Sequence, residues 1–184
     1  MQTEMTIAEQ REWWDGAAKE NATTAILSSK PNWSISDFYA TGVDWLRENI
    51  EFAKFARCDL RGATALDFGC GIGRMAVALA GNYSRVTGVD ISPEMVKRAR
   101  ENVKHPAVEF TLLDGDSLPF PDASFDLVYS TIVVQHISAP HNACYVSEFF
   151  RVTRAGVSSC SMHLLQDCPT WSLVSASSFS RFPW

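Results

Sequence analysis

The chain has 184 residues, a length typical of one domain that buries a sizeable hydrophobic core. Hydrophobic residues make up 46% of it and charged residues 20%, which is ordinary for a globular protein. The formal net charge of −5 argues against a protein that binds the nucleic-acid backbone, because such proteins carry a basic face. We therefore expect no nucleic-acid partner.

No run of about 18 apolar residues is present, so the sequence predicts no membrane-spanning segment and no membrane partner. The first six residues lack the basic and apolar regions of a signal peptide. The cysteines are odd in number and widely scattered, which favours reduced thiols and a cytoplasmic protein. They are Cys58, Cys70, Cys144, Cys160 and Cys168.

A helical leader is predicted ahead of the sheet. Thr6 and Glu9 have the spacing of a capping box, which favours a short helix over residues 6–20. A loop rich in Ser, Pro and Asn follows over residues 21–35. A second helix is predicted over residues 36–56, because apolar residues recur there every three or four positions. They are Tyr39, Val43, Leu46, Ile50 and Ala53.

A glycine-rich turn organises the rest of the chain. An apolar stretch that ends at Phe68 runs into Gly69, Gly71 and Gly73, and an apolar helical pattern follows. This is the layout of a buried strand, a tight turn and a helix start in a nucleotide-binding loop. Glycine suits the turn because it has no Cβ to block a sharp bend or a close ligand. Asp67 adds a carboxylate at the end of the strand.

The residues around this turn favour one kind of nucleotide. A dinucleotide fingerprint needs a glycine at the position of Arg74, and the Gly-Lys-Ser/Thr of an ATP-binding loop is absent. The Asp67 carboxylate would repel a pyrophosphate, whereas it suits a ligand that carries a cationic amino group and a sulfonium. A nicotinamide-dependent oxidoreductase is therefore the weaker alternative.

A second acidic residue follows the next predicted strand, residues 85–90. Asp90 lies seventeen residues after Gly73, close to the roughly 20 expected of a ribose-binding carboxylate in a β-α-β unit. Ser92 and Pro93 then predict a helix start, with Ser as the N-cap and Pro at the first position. Later elements are predicted as strands over residues 108–113 and 124–130 and a helix over residues 141–153.

Three motifs together resemble the class I S-adenosylmethionine-dependent methyltransferases that act on small molecules. They are Asp-x-Gly-x-Gly-x-Gly at residues 67–73, Val-Asp-Ile-Ser-Pro-Glu-Met at residues 89–95, and the Leu-Pro-Phe and Phe-Asp-Leu-Val segments within residues 118–128. The resemblance covers about residues 55–156. It implies an α/β fold with a doubly wound, mostly parallel sheet of order 3-2-1-4-5. It also implies S-adenosyl-L-methionine as cofactor, with S-adenosyl-L-homocysteine as product, bound at the switch between strands one and four.

The resemblance implies a set of cofactor-binding residues around that switch point. Ile91 would lie against the adenine, Asp114 would accept from the adenine amino group, and the Gly115 N–H would face the ring. Asp116 would be a bystander, or would take the role of Asp114 if the register of the alignment shifts. Asp126 would cap a turn or a strand start. The full predicted set is Asp67, Gly69, Cys70, Gly71, Gly73, Asp90, Ile91, Asp114, Gly115 and Ser130.

His136 is the predicted general base, since its unperturbed pKa lies near 6.5 and donor and acceptor meet in this region in similar enzymes. Two other interpretations stay open. In the first, the imidazole of His136 only hydrogen-bonds a loop or shapes the pocket. In the second, the proximity and alignment of donor and acceptor supply the rate, and no base is needed.

The aromatic residues of the leader also have two interpretations. In similar enzymes a leader closes over the site, so these rings would line a lid against the acceptor. Alternatively, they pack the leader onto the domain. They are Trp13, Trp14, Trp33, Phe38 and Tyr39.

After residue 156 the chain departs from the family pattern. Residues 157–165 predict a weak strand, and the residues that remain are too few for the usual helix and antiparallel hairpin. The tail is a truncated or altered end, or it pairs with another subunit and covers the exposed sheet edge in a homodimer. Cys160, His163 and Cys168 are too loosely arranged for a metal site, so we expect no metal.

The sequence therefore predicts a single domain over residues 1–184, with a leader over 1–56, a core over 57–156 and an atypical tail over 157–184. The predicted function is methyl transfer from S-adenosylmethionine to a small-molecule acceptor. One alternative is a donor-binding module that is catalytically weak or inactive because its C-terminal part is incomplete.

Overall fold

A mostly parallel sheet lies at the centre of the fold. The computed structural model describes residues 5–55, 62–139, 141–154, 160–164 and 174–175. The strands β1 to β6, in chain order, are Thr64–Phe68, Arg85–Asp90, Val108–Leu112, Leu127–Thr131, Cys160–Leu164 and Val174–Ser175. Their spatial order is β3-β2-β1-β4-β5-β6, and neighbours are parallel except β6, which runs antiparallel to β5. The predicted α/β fold and the order 3-2-1-4-5 are confirmed.

Helices cover both faces of this sheet. The helices α1 to α5, in chain order, are Ile7–Ile26, Ile35–Phe55, Arg74–Leu79, Pro93–Asn102 and His141–Val152, and a 3₁₀ turn covers Val134–His136. The α4 start is as predicted, because the Ser92 hydroxyl accepts from the Met95 N–H at 3.1 Å. Within the described ranges, no helix is long and apolar enough to cross a membrane.

β1 separates two hydrophobic cores. Ala65 lies in the cluster that contains Leu46 of α2 and Leu79 of α3. Phe68 lies in the cluster that contains Phe149 of α5. Because alternate residues of a strand point to opposite faces, a strand with both faces covered must bury every side chain in its middle, polar ones included. This is why the carboxylate of Asp67 lies in the interior.

α1 is longer than the sequence predicts. The capping box is present, because the Thr6 hydroxyl accepts from the Glu9 N–H and the Glu9 carboxylate accepts from the Thr6 N–H. The helix then runs to Ile26 with one break at Asn21, where φ is −160° and ψ is 96°. The predicted loop is therefore wrong over residues 21–26. Packing outweighs local propensity here, since Ala22 is buried in the cluster below it.

Parts of the C-terminal tail lie within the described residues. The predicted weak strand over residues 157–165 corresponds to β5, which pairs with β4. The sequence analysis did not predict β6, because two residues are too few to show a period. The remainder of the tail, residues 165–173 and 176–184, lies outside the described residues, and the homodimer stays a prediction.

Asp126 joins the starts of β1 and β4, as the cap of a strand start. Its Oδ2 accepts from the N–H groups of Ala63 and Thr64 at 2.7 and 2.9 Å, and its Oδ1 accepts from Arg154 Nη1 at 2.6 Å. Burial raises the pKa of Asp126, but the hydrogen bonds from Arg154, Thr64 and Ala63 outweigh it and lower the pKa to about 2. The ionised carboxylate therefore stabilises the folded state.

We expect Asp126→Asn to lower the free energy of unfolding by about 2 kcal/mol at pH 7, because an amide cannot accept all of these charge-assisted hydrogen bonds. The melting temperature should fall by roughly 4–8 °C. Because the folded pKa is depressed, this stabilisation is present above the unfolded value near 3.9 and is lost as the pH falls from about 4 towards 2. Thermal melts of both proteins across that pH range measure it.

Asp122→Asn is the matched control for this substitution. Asp122 is 78% exposed and pairs with Arg151 at the surface, an arrangement that contributes little to stability. We expect its melting temperature to stay within about 2 °C of the wild type. Equal melting temperatures of Asp126→Asn and the wild type at pH 7 would contradict the role assigned to Asp126.

Candidate functional site

A cleft lies at the carboxyl ends of β1, β2 and β4, underneath α1. It contains about 870 Å³ of empty volume, part of which is open to solvent. The cleft is therefore at the switch point where the sequence analysis predicts the site.

Gly69 and Gly71 bring the backbone of the glycine loop to the cleft. Both line it, with φ of 72° and 53°, in the left-handed region that residues with a Cβ rarely adopt. A Cβ at Gly69 would lie 2.4 Å from Val133, and one at Gly71 would lie 2.5 Å from Ile26. Both the backbone conformation and the packing against Val133 and Ile26 therefore require glycine at these positions. Gly73 completes the turn behind the loop as the N-cap of α3.

Asp90 ties the glycine loop to the end of β2. Its Oδ2 accepts from the Gly71 N–H at 2.8 Å, and its Oδ1 accepts from the Ser92 N–H at 2.9 Å. Burial raises the pKa of Asp90, while the backbone hydrogen bonds from Ser92, Gly71 and Ile91 oppose that rise. Asp90 also lines the cleft. Since each carboxylate oxygen has a second lone pair, Asp90 can still accept hydrogen bonds from a ligand.

Next to Asp90 the wall of the cleft is apolar. Ile91, Met95 and Leu113 line it. Tyr145 lines it as well, and its hydroxyl donates to the Gly115 carbonyl at 2.7 Å. Such a surface suits a flat aromatic base, because the ring can be buried against aliphatic side chains.

The predicted adenine contacts Asp114 and Gly115 lie beside the cleft rather than in its wall. The Asp114 side chain is 87% exposed and pairs with Arg11 of α1 at 2.7 Å. Gly115 has φ of 86° and open space where a Cβ would be. Their role towards adenine stays a prediction, whereas the ion pair shows that Asp114 holds α1 over the end of β3.

The side chains of three predicted residues, Asp67, Cys70 and Ser130, are buried and do not line the cleft. Asp67 is 2% exposed and its Oδ2 has no hydrogen-bond partner. Burial raises the pKa of Asp67 to about 7, against the opposing effects of the Arg74 charge and a hydrogen bond from the Ala76 N–H. The Cys70 thiol packs into the core, where burial raises its pKa. The Ser130 hydroxyl is buried without a partner.

The other end of the cleft is aromatic and comes from α1 and the 3₁₀ turn. Trp14 packs edge-on against His136, with ring centroids 5.6 Å apart. Burial lowers the pKa of His136, so the imidazole is neutral at pH 7. Gln10 closes this end, because its Nε2 donates to the Ser138 hydroxyl at 3.0 Å. The predicted site residues that line the cleft are Gly69, Gly71, Asp90, Ile91 and His136.

Most other aromatic residues of the leader pack it onto the domain. Trp33 and Phe38 lie in or against the cluster around Ile72, and the Tyr39 hydroxyl donates to the Ile72 carbonyl at 2.7 Å. Trp13 is 57% exposed. Trp33, Phe38 and Tyr39 therefore pack the leader onto the domain, whereas Trp14 lines the cleft, and its contact with an acceptor stays a prediction.

Polar contacts hold α1 over the strand ends. Arg11 Nη2 donates to the Leu113 carbonyl, which follows β3, at 3.1 Å. Asp15 accepts from the Ser92 hydroxyl and the Glu94 N–H, which follow β2, at 2.9 and 2.8 Å. Sequence analysis missed these residues because the partners lie 77 to 103 positions apart and leave no local pattern.

No group of three or more potential metal-ligating side chains occurs within the part of the chain that the structure describes. The side chains of Cys160, His163 and Cys168 lie outside that part.

Sequence comparison relates the chain to known enzymes. The family described as methyltransferase domain matches residues 65–156, half of the chain. The 2-methyl-6-phytyl-1,4-hydroquinone methyltransferase of Synechocystis sp. is 44% identical over 122 residues, which cover 61% of this chain and 37% of that protein. The phosphatidylethanolamine N-methyltransferase of Cereibacter sphaeroides is 35% identical over 136 residues, which cover 72% and 64%. The chain thus spans less than two thirds of the length of these curated relatives.

Structural comparison agrees with the sequence match. The chain resembles phosphoethanolamine N-methyltransferase 1 of Haemonchus contortus, solved with phosphoethanolamine and S-adenosylhomocysteine, with a TM-score of 0.60 and 21% identity. The resemblance covers 82% of this chain and 31% of that one, and it shows a shared fold. The chain has this fold, a glycine loop at the switch point of the sheet, and a family match that covers half of its length. It therefore belongs to the class I S-adenosylmethionine-dependent methyltransferases.

Proposed function

We propose that this chain transfers the methyl group of S-adenosylmethionine to a small-molecule acceptor. The observation that carries the proposal is that one cleft joins two ends of different chemistry. One end has the glycine loop and the Asp90 carboxylate, and the other has the Trp14–His136 pair. A donor and an acceptor bound in one cleft are brought into contact, which is what transfer requires.

The residues of the first end fit the cofactor. The carboxylate of Asp90 has acceptor positions left for two ribose hydroxyls. The apolar wall at Ile91 and Leu113 suits the adenine ring. Gly69 and Gly71 line the cleft without a side chain, so the ligand can lie against their backbone.

When bound, S-adenosylmethionine supplies a methyl group on a sulfonium, which is electrophilic and leaves a neutral thioether. The chain's own residues then have three tasks: to orient the two ligands, to exclude water and to hold a proton. Trp14 and Ile137 form an apolar wall that excludes water from the acceptor end. The neutral imidazole of His136 can accept a proton from an acceptor hydroxyl or amine.

The walls of the second end support a small, apolar or aromatic acceptor. Trp14, Val133 and Ile137 line this end, and Gln10 and His136 are its polar groups. A few polar groups in an apolar wall can orient a small ligand by hydrogen bonds while its ring or chain is buried. The relatives named above are methyltransferases of a hydroquinone and of phosphatidylethanolamine, so the family match alone leaves the acceptor open.

Thermal melts with S-adenosylmethionine, S-adenosylhomocysteine and NAD test the donor site. A ligand at about 100 times its Kd stabilises the fold by about 2.7 kcal/mol. We expect the melting temperature to rise by roughly 5–10 °C with the first two ligands and not with NAD. A folded sample whose melting temperature responds to none of them would contradict the proposal. Donor binding without turnover across a panel of acceptors would favour the inactive donor-binding module.

We expect Asp90→Asn to weaken the binding of S-adenosylhomocysteine by at least about tenfold, because the charge-assisted hydrogen bonds to the ribose are lost. Isothermal titration calorimetry measures the change. Asp122→Asn makes the same chemical change on the surface and should leave the affinity unaltered. If the Asp90 variant bound as tightly as the wild type, the ribose assignment would be wrong.

His136 should titrate below pH 6.5, because burial disfavours the imidazolium. We expect Trp14→Ala to raise this pKa towards 6.5, since the imidazole loses the indole that covers part of it and is better solvated. Nuclear magnetic resonance follows the imidazole proton, and the signal that disappears in His136→Gln identifies it. With an acceptor in hand, turnover should fall as the pH drops through this pKa. Unchanged turnover in His136→Gln would show that His136 is not the base and only lines the pocket.

A further inference from the structure

Arg74 is a buried cation to which the donor site described above gives no role. The residue is 3% exposed, and both its Nε and its Nη1 lack a hydrogen-bond partner. It also lines the cleft. Buried guanidinium N–H groups without partners are costly, because they have lost water and gained nothing in exchange. An anion bound in the cleft would remove that cost.

The fold holds Arg74 at this place. It is the first residue of α3 and follows directly on Gly73, the last glycine of the loop. α2 packs over α3, and a Cβ at Gly42 of α2 would lie 2.6 Å from the Arg74 carbonyl oxygen and 3.0 Å from its Cγ. Gly42 thus lets α2 cover the stem of the arginine, which keeps the side chain inside the protein rather than in solvent.

The carboxylate of Asp67 partly balances the charge of Arg74 but leaves its Nε and Nη1 without a hydrogen-bond partner. Burial lowers the pKa of Arg74, and the charge of Asp67 opposes that change. Asp67 Oδ2 has no hydrogen-bond partner, like the two arginine nitrogens. Because Nε and Nη1 of Arg74 form no hydrogen bond with Asp67, these N–H groups remain available to a ligand.

We propose that Arg74 binds the carboxylate of the amino-acid part of S-adenosylmethionine. The inference rests on the proposed function, in which Asp90 binds the ribose. Asp90 is bonded to Gly71, three positions before Arg74, so a ligand whose ribose is at Asp90 has its amino-acid part along the same loop. That part carries the only anionic group of the cofactor. The donor is favoured over an anionic acceptor because Arg74 directly follows the last glycine of the loop.

Two ligands that differ by one group test this assignment. Decarboxylated S-adenosylmethionine keeps the adenosine, the sulfonium and the amino group and lacks only the carboxylate. Isothermal titration calorimetry with the wild type should show S-adenosylmethionine binding about tenfold or more tightly than the decarboxylated ligand, since a charged hydrogen-bonded pair is lost. In Arg74→Gln the two affinities should become nearly equal. This readout is binding and needs no acceptor.

Arg100→Gln is the matched control. Arg100 is an exposed arginine of α4 whose side chain donates to the Phe110 carbonyl, outside the cleft. In Arg100→Gln, the ratio of the affinities for S-adenosylmethionine and for its decarboxylated form should equal the wild-type ratio. Arg74→Lys keeps the charge and should retain part of the discrimination. Circular dichroism checks that each variant is folded, and the wild-type ratio tests the inference even where a variant fails to fold.

The outcomes separate this inference from the proposed function. A wild type that binds neither ligand overturns the donor site and this inference with it. A wild type that binds both ligands equally overturns only the inference and shows that the carboxylate is not recognised. If the wild type discriminates and a folded Arg74→Gln discriminates equally, another group binds the carboxylate. An anionic acceptor whose binding depends on Arg74, with donor discrimination intact, overturns the inference in the same way.

Discussion

The hydrogen bond from the Gly71 N–H to Asp90 fixes the geometry on which the cleft depends. It joins the turn after β1 to the end of β2, so the loop and the carboxylate keep one relative position. The Ser92 N–H binds the other oxygen of the same carboxylate, and the Ser92 hydroxyl caps α4. One buried side chain therefore sets the loop, the strand end and the helix start together. A carboxylate is suited to this task because it accepts several hydrogen bonds at once.

Several buried polar groups near the glycine loop have no hydrogen-bond partner within the protein. Asp67 Oδ2, Arg74 Nε and Nη1 and the Ser130 hydroxyl are buried without partners. A core of this kind is less stable than an apolar one of the same shape, because desolvated groups without partners carry a cost. Such costs are typical of sites that gain their missing partners from a ligand. The stability of the empty protein and the affinity for a ligand are thus set by the same few side chains.

How much could be predicted from the sequence depends on the range of the contacts. The Thr6 and Ser92 caps, the order of the sheet and the structural role of Asp126 follow from local patterns and from the family resemblance. Sequence analysis missed the contacts between α1 and the strand ends, such as Gln10 with Ser138, because 128 positions separate the partners. It also predicted Cys70 as a cofactor-binding residue; the structure places the thiol in the core, and contact between Cys70 and the cofactor stays a prediction. Spacing locates a motif, but packing decides which of its side chains face a ligand.

The two ends of the cleft come from different parts of the chain. The glycine loop, Asp90 and His136 lie within residues 65–156, the part that matches the family. Gln10 and Trp14 belong to α1, which lies outside that match and yet lines the same cleft. A family that shares its donor must distinguish its acceptors by other residues, so the acceptor preference of this chain is expected to reside in α1 more than in the loop. Side-chain contacts to the residues that follow β2, β3 and β4 hold α1 over the cleft, so these contacts decide where Trp14 lies.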